Sequence, residues 1–347
     1  MFGQVFCLIL HFTLIIGSDR QVRNITSQIF GGDVKDIVPV AFGDFNSDKL
    51  TDVIALNNER NKISILLAEE QTFTSSIISH HTYFKDPAKL DKKKLKVECH
   101  FNDETVESVA PGDFDGDGGM DLFVLVKRDD EEDFIGFVMW GEHNQGQGTH
   151  SLLCVDKSAR QKSHFEIKMK NQPLLIDANG DYKSDVFSTS NTSESRCIWT
   201  YHDRNSAPEL SHLTSKDGSK MRKIHSNSYV DLDGDGNADI IVTTDEHFEI
   251  WHNPGKKEMD FVHSKSIKLP EKCQDDCTVG QFAFADFDLD GKLDVLFPIC
   301  VDSECVESQI YFTTVMVITI FKDSAKWRTF NSNLFYFARK KISGFHF

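Results

Sequence analysis

Positive charge is scarce in this 347-residue chain: 38 Lys and Arg stand against 54 Asp and Glu, for a formal net charge of −16. This balance argues against nucleic acid or an anionic membrane as the main partner. A 3.6-residue apolar period is also lacking, so helices are not expected to build the core. No G-x-S-x-G or comparable catalytic motif occurs. We therefore predict that the protein is not an enzyme, with no catalytic residues, no small-molecule substrate and no nucleic-acid partner.

Long hydrophobic runs are missing as well. Residues 2–16 are mostly apolar and are followed by the small residues Gly17 and Ser18, which predicts a signal peptide over residues 1–18. The run is too short to span a bilayer comfortably and no Lys or Arg precedes it, so a buried N-terminal strand is the alternative. Two sequons, at Asn24 and Asn191, predict glycosylation. These features favour the secretory pathway, with the protein extracellular or at the cell surface.

Removal of residues 1–18 leaves seven of the eight cysteines. The close pairs Cys273 with Cys277, and Cys300 with Cys305, predict local disulfides in an oxidising compartment. A zinc site would need similar spacings, but it requires thiolates in a reducing setting. The odd number of cysteines leaves one thiol free or means that the chain is incomplete.

An aspartate-rich motif of nine residues recurs five times, and its copies start 69, 64, 54 and 55 residues apart. The copies are DFNSDKLTD at 44–52, DFDGDGGMD at 113–121, DANGDYKSD at 177–185, DLDGDGNAD at 231–239 and DFDLDGKLD at 286–294. Each follows a short apolar run and precedes a β-prone run, and a third strand comes later. Such a unit is typical of a propeller blade. We predict an all-β fold, a β-propeller with five evident blades, whose polar insertions at 85–96, 127–133 and 142–150 are solvated loops.

The spacing of carboxylates within each loop predicts a calcium site. Ca²⁺ takes about six to eight oxygen ligands, and positions 1, 3, 5 and 9 of a tight loop can converge on one ion beside the carbonyl of position 7. Mg²⁺ is less suited, because it keeps water and a strict octahedron. Five bound ions would change the net charge from −16 to −6. The predicted ligands are Asp44, Asn46, Asp48, Asp52, Asp113, Asp115, Asp117, Asp121, Asp177, Asn179, Asp181, Asp185, Asp231, Asp233, Asp235, Asp239, Asp286, Asp288, Asp290 and Asp294.

A solvated acidic turn is the alternative for any single loop, since Asp, Asn and Gly are common turn residues. Five such loops, each between apolar strands, favour a cation, because carboxylates crowded into nine residues repel one another. An EF-hand is excluded by position 12, where the required Glu is replaced by Ala55, Val124, Ser188, Val242 and Phe297.

The five loops are not equivalent. The second and fourth carry four Asp each and have Gly118 and Gly236 at position 6, where a sharp turn favours Gly. The fifth has four Asp and Gly291. The first and third have Lys49 and Tyr182 at position 6 and Asn at position 3, so we predict weaker sites there.

These motifs resemble the FG-GAP repeats, also called VCBS-type repeats, of integrin α-chain propellers, and their order is similar to that in the T-cell immunomodulatory protein family. The resemblance covers roughly residues 24–311, and Cys300 and Cys305 stand where that family also has a close cysteine pair. It rests on NITSQIFG at 24, AFGDFNSDKLTD at 41, VAPGDFDGDGGMD at 109, FVMWG at 137, PLLIDANGDYKSDVF at 173, SKMRKIHSNSYVDLDGDGNAD at 219, FEIWHN at 248 and QFAFADFDLDGKLD at 281.

The resemblance implies a type I membrane glycoprotein with a large extracellular propeller, a protein partner and a modulatory role toward T cells or other immune cells. It places the FG-GAP propeller at 24–312 and leaves 313–347 as a divergent tail. The apolar part of that tail is too short to span a membrane. We therefore expect a C-terminally truncated form without an anchor, whose five blades belong to a ring of about seven and expose strand edges.

Two other functions fit part of the pattern. One is a fragment of an integrin α-like adhesion subunit, which would need an inserted ligand-binding domain or long α-chain legs. The other is the non-catalytic repeat region of a secreted hydrolase or lectin, which would need a catalytic domain beside the repeats. The repeats fill nearly the whole chain, so we favour a recognition module that stands by itself.

Overall fold

The computed structural model of the chain describes residues 37–68, 98–144, 149–152, 154, 157–163, 166–192, 195–213, 219–222, 226–255, 261–269, 273, 277–287, 289–300 and 308–314. The predicted signal peptide, Asn24, the basic insertion at 85–96, Asp288, Cys305 and residues 315–347 lie outside these ranges. Within them, none of the helical structure has the length and apolar character needed to cross a bilayer.

The motif repeats fold into five antiparallel sheets, which are the five blades of a β-propeller. Blade 1 consists of β1 (Ile37–Gly43), β2 (Asp52–Asn57), β3 (Lys62–Leu66) and β4 (Glu98–His100). Blade 2 consists of β5 (Thr105–Gly112), β6 (Asp121–Lys127), β7 (Phe134–Met139) and β10 (Ile167–Met169), with β8 (Gly141–Asn144), β9 (Thr149–Leu152) and the helix α1 (Lys157–Ser163) inserted between β7 and β10.

The remaining three blades follow in chain order. Blade 3 consists of β11 (Leu174–Ile176), β12 (Asp185–Thr189), β13 (Arg196–Thr200) and β14 (Glu209–Leu213). Blade 4 consists of β15 (Ser228–Val230), β16 (Asp239–Thr243), β17 (His247–His252) and β18 (Val262–Lys268). Blade 5 consists of β19 (Thr278–Val279), β20 (Ala283–Ala285), β21 (Asp294–Cys300) and β22 (Ser308–Thr314). The predicted all-β propeller with five blades is confirmed, whereas a larger ring and the limits at 24 and 312 stay predictions.

Blade 5 departs from the simple order of the others. Its first strand is divided, because β19 and β20 both pair with the same edge of β21, at Thr278 with Cys300 and at Ala283 with Leu296. β22 pairs along the other edge of β21. The fifth loop therefore still lies between a first strand, β20, and a second strand, β21.

The hydrophobic core lies between the blades. The second strands of blades 2, 3 and 4 are buried at nearly every position, and each has an apolar run directly after its first Asp, as expected of strands packed between neighbouring blades. One cluster, for example, joins Phe123 of blade 2 to Val186 and Trp199 of blade 3. Another joins Phe187 of blade 3 to Trp251 of blade 4. Stacking of sheets thus buries surface that no single blade could cover.

Two of the polar insertions differ from the predicted solvated loops. The insertion at 142–150 takes part in the β8–β9 hairpin, and α1 follows it. In the acidic insertion, Arg128 is buried: its Nε donates to Glu104 at 2.8 Å and its Nη2 donates to Glu166 at 2.7 Å. Arg160 of α1 also contacts Glu104 and stacks over Phe137 at 4.1 Å from the ring centroid. Charge alone suggested solvent exposure, but paired ions are tolerated inside a fold.

Candidate metal centres

Each aspartate-rich loop joins the first strand of its blade to the second strand. The five loops share one backbone arrangement, because the N–H of the sixth residue donates to Oδ2 of the first Asp at 2.9 Å in every copy. The N–H of the seventh residue donates to Oδ1 of the fifth-position Asp at 2.7–3.0 Å. These bonds fold each loop around the carboxylates of positions 1 and 5.

The sixth residue has a left-handed backbone conformation in all five loops. Its φ is 69° at Lys49, 78° at Gly118, 66° at Tyr182, 91° at Gly236 and 81° at Gly291. Glycine adopts this conformation without a steric cost, but a side chain does not. The first and third loops therefore keep the common turn with residues that strain it.

The ninth-position aspartates have a second role beyond the predicted one. All five are 0–1% exposed. Their Oδ2 atoms accept the N–H of the second loop residue at 2.8–3.0 Å. In four blades Oδ1 accepts a second N–H at 2.7–3.2 Å, from the residue beyond the third strand: Ala68, Gly141, Tyr201 and Asn253. These carboxylates tie the loop to the blade whether or not a metal is present.

In the fifth blade, the corresponding hydrogen bonds of the ninth-position carboxylate lie only partly within the described ranges. Asp294 Oδ1 is buried and has no hydrogen-bond partner among the described residues. Asp294 pairs with Thr314 in the sheet, and the chain after Thr314 lies outside those ranges. Asp288, the predicted third-position ligand of this loop, lies outside them too.

Burial raises the pKa of the ninth-position carboxyls. The pKa of Asp121 and that of Asp185 rise to about 7, chiefly because the ionised form is desolvated, although their backbone hydrogen bonds oppose the shift. The pKa values of Asp52 and Asp239 are also raised by burial. A nearby cation would favour the ionised form of all four.

Carboxylate oxygens converge in the second and fourth loops. In the second, Asp113, Asp115 and Asp121 offer oxygens that lie within 4.8 Å of one another. In the fourth, Asp231, Asp233 and Asp235 do the same. Closely grouped carboxylate oxygens fit a hard cation such as Ca²⁺, which takes oxygen ligands in flexible geometry. The second and fourth loops therefore have a donor set suited to calcium.

Basic side chains not anticipated from the sequence reach these two loops. His252 of β17 has its Nδ1 at 3.2 Å from Asp233 and 3.1 Å from Asp239. Arg204, from the turn between β13 and β14 of the neighbouring blade, contacts Asp115 through Nε and Asp117 through Nη2, the latter at 2.6 Å. In the sequence, the only sign of these contacts is that Arg204 and His252 each lie near the end of the third strand of a blade.

Two disulfides have both cysteines among the described residues, Cys99 with Cys154 and Cys273 with Cys277. Cys300 is also disulfide-bonded, and its predicted partner, Cys305, lies outside the described residues. The first of these pairs joins β4 of blade 1 to the insertion of blade 2, a link across 55 residues that spacing could not predict. Asn191, of the predicted second glycosylation site, lies partly exposed in the turn after β12.

Cys197 is the free thiol among the described residues, and it is buried. Its sulfur lies 3.2 Å from Nδ1 of His212. Burial raises the pKa of the thiol, so the reactive thiolate is disfavoured. This pair lacks the electropositive, accessible setting that a nucleophilic cysteine requires.

Residues 231–297 match the family model described as an FG-GAP-like repeat, a stretch that begins with the fourth loop and includes the whole fifth loop. The matched stretch holds the fourth and fifth copies of the motif that recurs in all five blades, so the chain is a β-propeller that contains FG-GAP-like repeats. Its similarity extends to named proteins. Over 298 residues it is 35% identical to the T-cell immunomodulatory protein of Mus musculus, with 84% of this chain and 42% of that protein covered.

Two further proteins are similar to this chain over a comparable length. The T-cell immunomodulatory protein of Homo sapiens is 34% identical over 300 residues, with 84% of this chain and 42% of that protein covered. Protein linkin of Caenorhabditis elegans is 25% identical over 299 residues, with 76% and 42% covered. The predicted resemblance is confirmed, and the chain spans 42% of the length of these relatives.

Proposed function

We propose that the protein is a non-catalytic calcium-binding β-propeller that recognises another protein outside the cell or at its surface, and that it modulates T cells or other immune cells. The observation that carries the calcium proposal is the convergence of carboxylate oxygens in the second and fourth loops, within 4.8 Å of one another. The immune role rests on the names of the relatives and on the shared propeller.

In the second loop, Asp113, Asp115, Asp117 and Asp121 would hold the ion, and in the fourth, Asp231, Asp233, Asp235 and Asp239 would hold it. Bound calcium would neutralise carboxylates that repel one another and offset the burial of the ninth-position carboxylate. The first, third and fifth loops share the backbone arrangement and are proposed as further sites, weaker in the first and third.

A secretory-pathway location is supported by the disulfides. Cys99 with Cys154 and Cys273 with Cys277 are bonded pairs, and such bonds persist in oxidising compartments. Together with the two sequons and the apolar N-terminus, they favour an extracellular or cell-surface site of action.

Recognition of a protein is supported by apolar side chains exposed on the calcium loops. Tyr182 of the third loop is 92% exposed and Leu289 of the fifth is 87% exposed. Both have a left-handed backbone, with φ of 66° and 62°, where glycine is the least costly residue. Large apolar residues on strained, exposed turns contribute little to the fold, and aromatic residues are common at protein interfaces.

The proposal is tested by removing and restoring calcium. In the chelated wild-type protein, added Ca²⁺ should raise the Tm, and Tb³⁺ should bind with luminescence sensitised by nearby aromatic residues. A doubly substituted protein, Asp117→Asn with Asp235→Asn, should lose most of both effects. A Tm and a terbium signal that are indifferent to chelator and calcium in the wild type would sink the calcium proposal.

A further inference from the structure

A guanidinium from blade 3 lies among the carboxylates of the second loop. Arg204 bridges the third-position and fifth-position aspartates, with Nε against Asp115 and Nη2 2.6 Å from Asp117. Its Cζ is 5.8 Å from the centroid of the Trp140 ring. The forked geometry of Arg suits two neighbouring carboxylates, and both contacts are charge-assisted hydrogen bonds.

The turn that carries Arg204 is built to present it. Asp203 accepts the N–H groups of Asn205 and Ser206 at 2.7 and 2.9 Å, which forms an Asx turn. Lys183, from the third loop, donates to the carbonyl of His202 at 2.6 Å. The residues on both sides of Arg204 are thus fixed by hydrogen bonds.

The same region joins the third loop to the second. The Ser184 N–H of the third loop donates to the carbonyl of Asp113 at 2.7 Å. The Tyr201 N–H donates to Asp185 at 3.2 Å, at the start of the chain segment that leads to Arg204. The position of the guanidinium therefore depends on the third loop, although it contacts the second.

We propose that Arg204 is a built-in cation that competes with calcium for Asp115 and Asp117. This inference rests on the proposed function, because it assumes that the second loop takes calcium. In the absence of the ion, Arg204 stabilises the crowded carboxylates. Calcium must displace the guanidinium from the oxygens that it uses, so the second loop binds calcium more weakly than its four aspartates suggest.

The fourth loop provides the comparison within the molecule. It has the same four aspartates and a glycine at position 6, yet among the described residues its carboxylates contact His252 and no Arg or Lys. Two loops that are equivalent in sequence therefore differ in the cation beside them. The second loop is expected to fill at a higher calcium concentration than the fourth.

The test measures calcium affinity at the second loop in the full chain. Terbium at this loop should be sensitised by Trp140, because Gly141, the next residue, donates to Asp121 at 2.7 Å. Trp140→Phe should remove the terbium luminescence that Trp140 sensitises. In the wild type, added calcium should displace terbium from this loop and lower the same luminescence. Arg204→Gln should tighten calcium binding at the second loop roughly tenfold, since hydrogen bonds to charged groups are lost from the competing state.

Arg60→Gln is the matched control. It also removes one positive charge, but from an exposed pair at 2.8 Å between Arg60 of blade 1 and Glu107 of blade 2. Its calcium affinity at the second loop should equal that of the wild type. Arg204→Lys, which keeps the charge but lacks the fork, should give an intermediate affinity and serves if Arg204→Gln folds poorly.

Thermal unfolding supplies a second readout. Arg204→Gln should lower the Tm in chelator and have a smaller effect in excess calcium, because the residue acts only in the calcium-free loop. Equal losses in both conditions, or equal affinities for wild type and Arg204→Gln, would overturn the inference while leaving calcium binding established. If neither protein binds calcium or terbium at any loop, both the inference and the proposed function fail.

Discussion

At the scale of single residues, the sequence presents the aspartates of each loop as equal ligands, and the structure separates them. The motif predicts where every carboxylate lies along the chain. It does not predict that the ninth one is buried with both oxygens on backbone N–H groups, since that depends on the next strand returning beside it. The same holds for Arg204, whose contact with Asp115 depends on how two blades stack.

The two kinds of aspartate should respond differently to substitution. Asp239→Ala removes the acceptor of two buried N–H groups, from Leu232 and Asn253. The free energy of unfolding in chelator should fall by about 3 kcal/mol, as expected for two unsatisfied buried donors. Asp235→Ala changes an exposed side chain, so it should cost less than about 1 kcal/mol there while abolishing calcium binding at the fourth loop.

Urea unfolding in chelator, with and without calcium, measures both effects for Asp239 and Asp235. Equal losses of stability for the two variants in chelator would contradict the structural role assigned to the ninth position.

The raised pKa values predict the pH dependence of the calcium-free protein. Asp121 and Asp185 have a folded pKa of about 7, well above that of an unfolded Asp. Each therefore contributes stability at low pH that is lost as the pH rises through 7, on the order of 2 kcal/mol per group between pH 5 and pH 8. In chelator, Tm should fall over this range.

Calcium favours the ionised carboxylate and should flatten or reverse that slope. Asp185→Asn should be less stable at pH 5 but show a weaker pH dependence, whereas Asp130→Asn, at an exposed position, should keep the wild-type slope. A Tm in chelator that rises from pH 5 to pH 8 by the same amount in all three proteins contradicts the assignment.

At the scale of elements, apolar runs beside each motif were enough to place the second and third strands of all five blades. The helix α1 was missed because it is short, seven residues, and carries no apolar period. It is fixed by tertiary contacts instead, with Arg160 against Glu104 and over the Phe137 ring. A short helix of this kind depends on packing rather than propensity, so its own sequence predicts little.

The turn at position 6 gives a prediction for the loop as an element. Tyr182 has φ of 66° and is 92% exposed, so replacing it loses almost no packing. Tyr182→Gly should stabilise the protein by about 0.5–1 kcal/mol through relief of the left-handed conformation. Gly236→Ala should do the reverse by a similar amount, since no atom lies within 4 Å of the added Cβ and only the backbone is strained.

Urea unfolding in chelator tests this pair of substitutions. Changes of the same sign in Tyr182→Gly and Gly236→Ala would show that the turn conformation does not control loop stability.

The buried ionic cluster gives a second prediction at this scale. Arg128→Met leaves Glu104 and Glu166 without one of their cationic partners, at side-chain exposures of 1% and 13%. The loss should be about 3–5 kcal/mol, the usual effect of breaking a buried pair from one side. Lys62→Met breaks the exposed pair with Glu98 and should cost less than about 1 kcal/mol. Similar losses of stability in the two variants would mean that the buried cluster stabilises the protein no more than an exposed ion pair does.

At the scale of the whole molecule, the repeat predicts blades but not the contacts between them. Four hydrophobic clusters are each shared by two neighbouring blades, so the blades are expected to unfold together. The pairing of Cys99 with Cys154 and the buried pair of Arg196 with Glu249 also join neighbours. These partners lie 55 and 53 residues apart, and only the stacking of sheets brings them together, which is why spacing along the chain did not reveal them.

The pair of Arg196 with Glu249 should therefore control how blades 3 and 4 unfold. Arg196 donates to both carboxylate oxygens at 3.0 and 2.7 Å, and Trp251 Nε1 donates to one of them at 3.0 Å. Arg196→Met leaves the buried carboxylate without its guanidinium and should cost about 3–5 kcal/mol. Hydrogen exchange should show the lost protection on both sides of the interface, in β13 and β17, since the pair joins these strands.

The double variant, Arg196→Met with Glu249→Leu, should recover part of the stability, because no buried charge is then left alone. A loss confined to blade 3, with no recovery in the double variant, would show that the pair stabilises one sheet and does not couple the two.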